Sequence, residues 1–174
     1  MKFEELERTI DKYLLIEDRG VVKLLCASVI SNRIIGLKPT WLFLVSNSSG
    51  GKSALLKSLS YANGMVEKDD LTAKTFISGA RAGAKETSLL FRLPKNPVMV
   101  IKDLTLLIDK DPKESAQIFS QLRLIYDGDL NKSFGTGEDI DVKIHLGLIA
   151  GTTAAIEDIQ AAQATMGQHR LAIC

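Results

Sequence analysis

Cysteine is scarce in this sequence: the 174 residues include only two, Cys26 and Cys174. Two cysteines so far apart form neither a disulfide framework nor a metal-ligand pattern, which suits a reducing compartment. Cys26 lies in the apolar run 21–30, where we expect a buried, unreactive thiol. An excess of charge is also missing, because 22 basic and 21 acidic residues leave a net charge of +1. Any contact with nucleic acid must therefore come from a local patch.

Long hydrophobic runs are absent too, since no stretch approaches the ~18–20 continuous apolar residues that span a bilayer. The amino-terminal segment 1–13 is acidic and amphipathic, which does not fit a secretory signal. We therefore expect a cytoplasmic protein with no membrane partner. Its 45% apolar and 25% charged content is typical of a globular domain with one sizeable core.

Helical periodicity marks residues 1–36, which we predict as an amino-terminal helical segment that precedes a core of residues 37–174. The first helix is predicted to occupy about the first 18 residues. A second helix is predicted at 18–35, with Asp18 as its N-cap and Gly36 as its stop.

The strongest motif follows a short apolar run, Trp41–Val45, which is typical of a strand buried on both faces. The next residues, SNSSGGKS, lead into an amphipathic helix predicted at 52–63. A strand, a glycine-bearing loop and a helix form the context in which phosphate-binding loops occur. We therefore predict that the chain binds a nucleoside triphosphate with Mg²⁺ through the loop residues Ser46, Asn47, Ser48, Ser49, Gly50, Gly51, Lys52 and Ser53.

The chemistry of phosphate binding explains these residue types. Backbone N–H groups at a helix N-terminus surround the phosphates, and glycines let the backbone approach closely. Lys52 is predicted to reach the β- and γ-phosphates, and the Ser53 hydroxyl to bind Mg²⁺. Ser46 stands where the motif has its first glycine, which puts the loop geometry in question. The alternative interpretation is a structural turn with an exposed lysine.

An acid follows a second apolar run, in the sequence VMVIKD. Asp103, at the end of a predicted buried strand, is expected to hold the Mg²⁺ as in the Walker B arrangement. Alternatively, Asp103 caps the following turn, or Lys102 takes the metal-acid position and Asp103 that of the general base. Leu104 stands where many such ATPases have a glutamate that polarises the attacking water. We therefore expect slow hydrolysis or a carboxylate supplied from elsewhere.

Strands that alternate with helices predict the rest of the fold. We expect a strand at 71–77, a mobile loop at 79–85, a helix that begins after Asp111 and ends at Gly128, a hairpin at 131–143, a strand at 146–150, a helix at 154–166 and a strand at 170–173. This order predicts an α/β fold with a parallel sheet covered by helices on both faces.

Two further residues are candidates for catalysis. Thr152 is predicted to bond the γ-phosphate or the attacking water, with Thr153 in reserve, because ligands of parallel sheets lie at the carboxyl ends of strands. The alternative for Thr152 is an N-cap of the helix that begins near Ala154. Arg170 is a candidate to stabilise developing charge on a neighbouring subunit's nucleotide, or else an ordinary surface arginine. His145 is predicted to be structural.

The order of these elements resembles the core of AAA+ ATPases. In that family, too, a phosphate loop, a Walker B strand, a helix, a hairpin, a sensor strand and an arginine follow one another. Three stretches resemble, more narrowly, a group of phage and mobile-element ATPases with replication or helicase-like roles: WLFLVSNSSGGKS, VMVIKDLTLLI with IFSQLRLIYDGDLNKSFGTG, and HLGLIAGTTAAI with TMGQHR. The resemblance covers most of the chain from about Val21. It implies a P-loop NTPase fold, ATP and Mg²⁺ as cofactors, and an ATPase that acts on DNA as a homo-oligomer.

By the same resemblance, the hairpin precedes the sensor strand, where helicase-like AAA+ proteins often contact DNA. Lys132 and Phe134 supply the cation and the aromatic ring that such a contact uses. An ordinary hairpin whose Phe134 packs inward is the alternative.

The end of the sequence departs from the family's pattern. Gln168 and His169 stand where an acid and an arginine are expected, and Arg170 comes one place later. The small helical lid that follows the core in this family is absent, and the sequence ends in strand-like residues. We therefore expect that a carboxy-terminal part is missing.

Two other functions also fit a phosphate loop. A small-molecule kinase would need an acceptor pocket and an arginine-bearing lid, for which the loop 79–85 with Arg81 is a candidate. A nucleotide-dependent switch that binds without hydrolysis is favoured by Ser46 and Leu104. ATP is preferred over GTP as the family's usual nucleotide.

Overall fold

The computed structural model describes residues 2–16, 18–34, 36–47, 51–78, 88–134, 139–154 and, for the backbone, 171–173. Its helices are α1 (Phe3–Ile10), α2 (Gly20–Ser31), α3 (Lys52–Leu59), α4 (Thr105–Ile108) and α5 (Pro112–Asp127), with a 3-10 helix at Leu89–Arg92. Its strands are β1 (Trp41–Val45), β2 (Met65–Lys68), β3 (Val98–Ile101), β4 (Asp129–Ser133), β5 (Asp139–Lys143), β6 (Gly147–Thr152) and β7 (Leu171–Ile173). None of the helices in these stretches has the length and apolar character needed to cross a membrane.

A five-stranded sheet with the order β2-β3-β6-β1-β7 forms the centre of the fold. Every neighbouring pair in it is parallel. The chain leaves β1, crosses to the edge at β2, returns through β3 and β6, and then passes β1 to reach β7. The predicted α/β fold with a parallel sheet is confirmed.

Side chains of β1 alternate between the two faces of the sheet, as the period of a strand requires. Trp41 and Phe43 belong to the larger apolar cluster, which includes side chains of α5 and of the hairpin β4–β5. Leu42 and Leu44 belong to a smaller cluster with side chains of α2 and α3. Helices therefore cover both faces, as predicted.

A buried amide fixes α2 to the sheet. Asn32, which is 1% exposed, donates from Nδ2 to Ser28 O at 2.9 Å and to Thr40 O at 3.0 Å, and accepts from Thr40 N at 2.8 Å. It also lies against Gly147, where an added Cβ would come within 2.4 Å of Asn32 Nδ2. These bonds hold the end of α2 beside the start of β1. The proposed boundary after residue 36 stays a prediction.

The predicted helix that begins after Asp111 and ends at Gly128 is confirmed as α5. The Asp111 side chain accepts from Lys113 N and Glu114 N, Pro112 is the first helical residue, and Gly128 ends the helix with φ 91°. The predicted hairpin is also present, because β4 and β5 pair antiparallel from Asp129–Lys143 to Ser133–Asp139. Its residues 135–138 lie outside the described part.

The predicted strand at 71–77 is wrong. These residues form an irregular connection in which Leu71, Phe76 and Ile77 are buried in the larger cluster. The buried side chains produced the apolar pattern, whereas the backbone bonds to the 3-10 helix, from Leu89 N to Thr75 O at 3.0 Å and from Leu90 N to Phe76 O at 3.4 Å. Gln121 Nε2 also donates to the Ala73 carbonyl at 2.7 Å. The edge strand is instead Met65–Lys68, whose residues are all half-buried.

Several helix ends also differ from prediction. The helix α1 ends at Ile10, α2 at Ser31 and α3 at Leu59, each several residues early. Turns that satisfy backbone groups locally follow α1 and α3. The predicted loop at 79–85 and helix at 154–166 lie wholly or mostly outside the described residues.

Candidate functional site

The ends of β1 and β6 place Ser46 and Thr152 side by side. Val45 and Thr152 are register partners in the parallel pair, and Ser46 N donates to Thr152 O at 3.3 Å. Two residues that are far apart in sequence, the first of the predicted loop and the sensor candidate, thus meet at the carboxyl edge of the sheet. Ligands of open parallel sheets bind at this edge.

The turn that carries Asp103 reaches the same edge from β3. Ile101 pairs with Ala150 of β6, and Leu104 N donates to Gly151 O at 2.7 Å. The structure therefore brings together the loop start, the sensor candidate and the acid-bearing turn, as the sequence predicted.

The glycine Gly51 starts α3 in a left-handed conformation, with φ 72°. Glycine adopts this conformation without a steric penalty. Lys52 and Ser53 then form the start of the helix, whose free N–H groups and dipole favour an anion. Ser53 is exposed. The predicted binding residues Ser48, Ser49 and Gly50 lie outside the described residues.

The ammonium of Lys52 is turned into the loop. Its Nζ donates to Ser46 O at 2.6 Å, to Asn47 O at 2.8 Å and to Ser46 Oγ at 3.0 Å. The alternative of an exposed lysine on a structural turn does not describe this side chain, which is half-buried.

Serine at position 46 causes no backbone strain. Among the described non-glycine residues, only Asn96 has a positive φ. Ser46 and Asn47 therefore adopt backbone conformations open to any residue, so glycine is not required there.

Asp103 caps the turn that follows β3. Its Oδ1 accepts from Thr105 N at 2.9 Å, which is the capping role that the sequence left as an alternative. A carboxylate has a second oxygen, and Mg²⁺ sites at nucleotides use one or two carboxylates together with phosphate oxygens. Ser53 and Asp103 offer oxygen donors of the kind that such a site uses. The described residues contain no group of three or more acids, histidines or cysteines able to hold a metal on their own.

Lys102 is engaged by two carboxylates beside it. Its Nζ lies 2.7 Å from Asp69 Oδ1 and 2.8 Å from Glu67 Oε1. The carboxylates raise the pKa of Lys102, with Asp69 as the larger cause. Hydrogen bonds from Lys102 and then Ser60 lower the pKa of Glu67. Sequence reasoning missed this cluster, because only the pairing of β2 with β3 brings its members together.

A glycine allows the acid-bearing turn to approach β6. A Cβ at Gly151 would lie 2.5 Å from Lys102 O and 3.0 Å from Leu56 Cδ1. Since the first contact is with backbone, the turn itself would have to move.

We expect Gly151→Ala to lower the free energy of unfolding by about 1–3 kcal/mol, the usual cost of overpacking. Urea denaturation measures this loss of stability. An unchanged urea midpoint would contradict the close packing described.

Thr152 is fully buried at 0% exposure, and its hydroxyl lies 3.4 Å from Thr153 O. It lies at the end of β6, where the sequence placed it, and its two predicted roles, sensor and helix cap, both stay predictions. Arg170 lies outside the described residues.

The Nε2 atom of His145 is buried, and it has no hydrogen-bond partner among the described residues. The structural role predicted for His145 stays a prediction.

A cavity of about 670 Å³ extends from Lys52 and Ser46. Its walls come from the α1–α2 connection, the start of α2, the end of β1 and the start of α3, and they are mainly apolar. Leu15 in this wall is 96% exposed. The volume lies within the range of about 300–1,000 Å³ that is typical of small-molecule sites. Sequence reasoning did not assign residues 14–24 to the site, because the cavity depends on how α2 packs.

The two predicted DNA-binding residues lie on the inward face of the hairpin. Phe134 packs against the larger apolar cluster, and Lys132 Nζ lies 5.3 Å from the centre of its ring. This arrangement favours the alternative of an ordinary hairpin. The outward face of the described strands carries Asp129, Asp139 and Asp141, all exposed.

No protein-family model matches the chain, and a search of curated proteins gives no significant match. The fold and the geometry of the site therefore carry the functional argument.

Proposed function

We propose that this chain binds a nucleoside triphosphate, ATP with Mg²⁺, at the loop 46–53 and hydrolyses it. The observation that carries the proposal is the position of Lys52, at the start of a helix that follows a central parallel strand, with its ammonium turned into the loop. A P-loop site uses a lysine at this place together with an acid at the end of a neighbouring strand, and Asp103 follows such a strand. The strand order and the hairpin before β6 add support for a P-loop fold of the AAA+ type.

Each described residue at this edge has a defined role in the proposal. Backbone N–H groups at the start of α3 bind phosphate oxygens, and Lys52 binds the β- and γ-phosphates. Bound Mg²⁺, held by Ser53 and Asp103, would neutralise phosphate charge. Thr152 orients the γ-phosphate or the attacking water. Arg170 from a neighbouring subunit would complete the site in an oligomer.

The direct test is steady-state phosphate release from ATP with Mg²⁺, measured over a range of protein concentrations and with or without single-stranded DNA. Turnover that rises with protein concentration and with DNA supports an oligomeric ATPase that acts on DNA. The DNA part of the proposal rests on the resemblance to phage and mobile-element ATPases. If DNA changes neither the turnover nor the ATP affinity, the proposal that the ATPase acts on DNA is wrong.

The cavity supports a nucleoside, and not phosphate alone, as the ligand. A base and ribose would lie next to Lys52, against the apolar wall formed by Leu14, Leu15, Ile16, Val21 and Leu24.

We expect Leu15→Gln to weaken ATP binding roughly 5- to 20-fold, because it replaces part of an apolar contact with a neutral polar group. Binding of inorganic tripolyphosphate, measured by calorimetry, should stay the same, because no charge is added. Leu37→Gln is the matched control, because Leu37 is also exposed and does not line the cavity. Equal losses for ATP and tripolyphosphate would place the base elsewhere.

Binding without hydrolysis is the second candidate function. Asp103 Oδ1 is used as a turn cap, Lys102 is paired with Asp69 and Glu67, and Leu104 is fully buried. This turn therefore presents no base beside Asp103. Tight ATP binding without phosphate release, at all protein and DNA concentrations, would establish a nucleotide-dependent switch.

A further inference from the structure

The hydrogen-bond donors of Lys52 are all occupied within the loop. An ammonium has three N–H donors, and Lys52 Nζ has three acceptors, at 2.6, 2.8 and 3.0 Å. All three acceptors belong to Ser46 and Asn47. Lys52 must therefore give up at least one of these bonds before it can donate to a phosphate.

Ser46 supplies two of the three acceptors, its carbonyl and its hydroxyl. The carbonyl would be present with any residue, whereas the acceptor Oγ exists because position 46 is serine. The hydroxyl also donates to Asn47 O at 3.3 Å. Ser46 Oγ thus accepts from Lys52 and donates to a carbonyl that also accepts from Lys52, and such linked bonds strengthen one another.

We propose that Ser46 is a latch on Lys52, which holds the ammonium against the loop backbone until nucleotide displaces it. The inference rests on the proposed function of this loop. Ser46 is a positioning residue, because it acts on the ligand through Lys52. For a ligand that needs the released lysine, the apparent affinity is the intrinsic affinity multiplied by the fraction of molecules in which Lys52 is released. Serine at this position therefore lowers nucleotide affinity, and Lys52 is released from Ser46 when the phosphates bind.

The expected effect of Ser46→Ala is a roughly 3- to 10-fold gain in affinity for Mg-ATP, because the variant loses one bond to a charged donor and keeps Cβ and the backbone. Ser46→Thr keeps the hydroxyl and should therefore not show this gain in affinity. Ser58→Ala is the matched control, since the Ser58 hydroxyl bonds to Leu55 O within α3. Calorimetric titration with Mg-ATP measures each variant.

A second measurement needs no nucleotide. In protein labelled with ¹⁵N at lysine Nζ, the bonded Lys52 ammonium should exchange its protons slowly, and Ser46→Ala should make that exchange several-fold faster. Weaker Mg-ATP binding by Ser46→Ala would overturn the latch, since the hydroxyl would then contact the ligand. Unchanged proton exchange would overturn it as well. A wild-type protein that shows slow exchange but binds no nucleotide would instead refute the proposed function.

Discussion

Replacing Lys52 with alanine is expected to weaken Mg-ATP binding by about 100-fold or more. The variant would lack two or more bonds from Lys52 to phosphate oxygens, each worth about 1.5–3 kcal/mol because both partners are charged. The free protein should stay folded, because the loop carbonyls that Lys52 contacts belong to the exposed Asn47 and the half-buried Ser46 and can bond to water. Calorimetry with Mg-ATP measures the loss.

Lys57→Ala is the matched control, since Lys57 is an exposed lysine of the same helix. It should bind Mg-ATP as tightly as the wild type does. Both variants should melt within about 3 °C of the wild type, which corresponds to roughly 1 kcal/mol for a chain of this size. Equal affinity of Lys52→Ala and wild type would show that the loop does not bind phosphate.

The parts of the fold that the sequence predicted are those with local signals. The helix α5 has an aspartate cap, a proline and a terminal glycine within its own residues. The strands β1 and β3 are continuous apolar runs bounded by polar residues, and the loop 46–53 lies directly after β1. Each of these signals needs only neighbouring residues, so no knowledge of the sheet is required.

The errors come from features that depend on distant parts of the chain. Residues 71–77 have the apolar residues of a strand, but their buried side chains join the cluster that includes α5, and their backbone bonds to the 3-10 helix. The strand Met65–Lys68 lacks an apolar pattern, because it is an edge strand with half-buried residues.

In the candidate site, too, the residues with local signals were predicted from the sequence, and those that depend on strand pairing were not. Lys52, Asp103 and Thr152 were predicted as site residues from motif and strand position. Thr152 ends β6, Asp103 follows β3 and Lys52 begins the helix after β1, so their places in the fold needed only local signals. The bonds of Lys102 to Glu67 and Asp69 depend on the register of β2 with β3, which no local pattern specifies.

Asp103→Asn is expected to abolish most of the Mg²⁺ dependence of ATP binding and to lower any turnover roughly 100-fold or more, since the variant lacks the charge that we propose to bind the metal. Asparagine keeps an oxygen that can accept from Thr105 N, so the turn should remain capped. The variant therefore separates the two roles of Asp103, because it removes the charge and leaves the cap. ATP affinity measured with Mg²⁺ and with EDTA gives a result even for a protein that does not hydrolyse ATP.

Asp111→Asn provides the matched control, because Asp111 Oδ1 accepts from Lys113 N at 2.9 Å and caps α5 in the same manner. Asparagine and aspartate are similarly good N-caps, so this variant should match the wild type in stability and in Mg²⁺ dependence. Should Asp103→Asn also match the wild type in both, Asp103 serves only as a cap. The metal would then need another carboxylate, and Glu67 and Asp69 are already paired with Lys102. In that case, the edge of the sheet would bind the triphosphate through Lys52 and α3 without Asp103, as the non-hydrolysing switch requires.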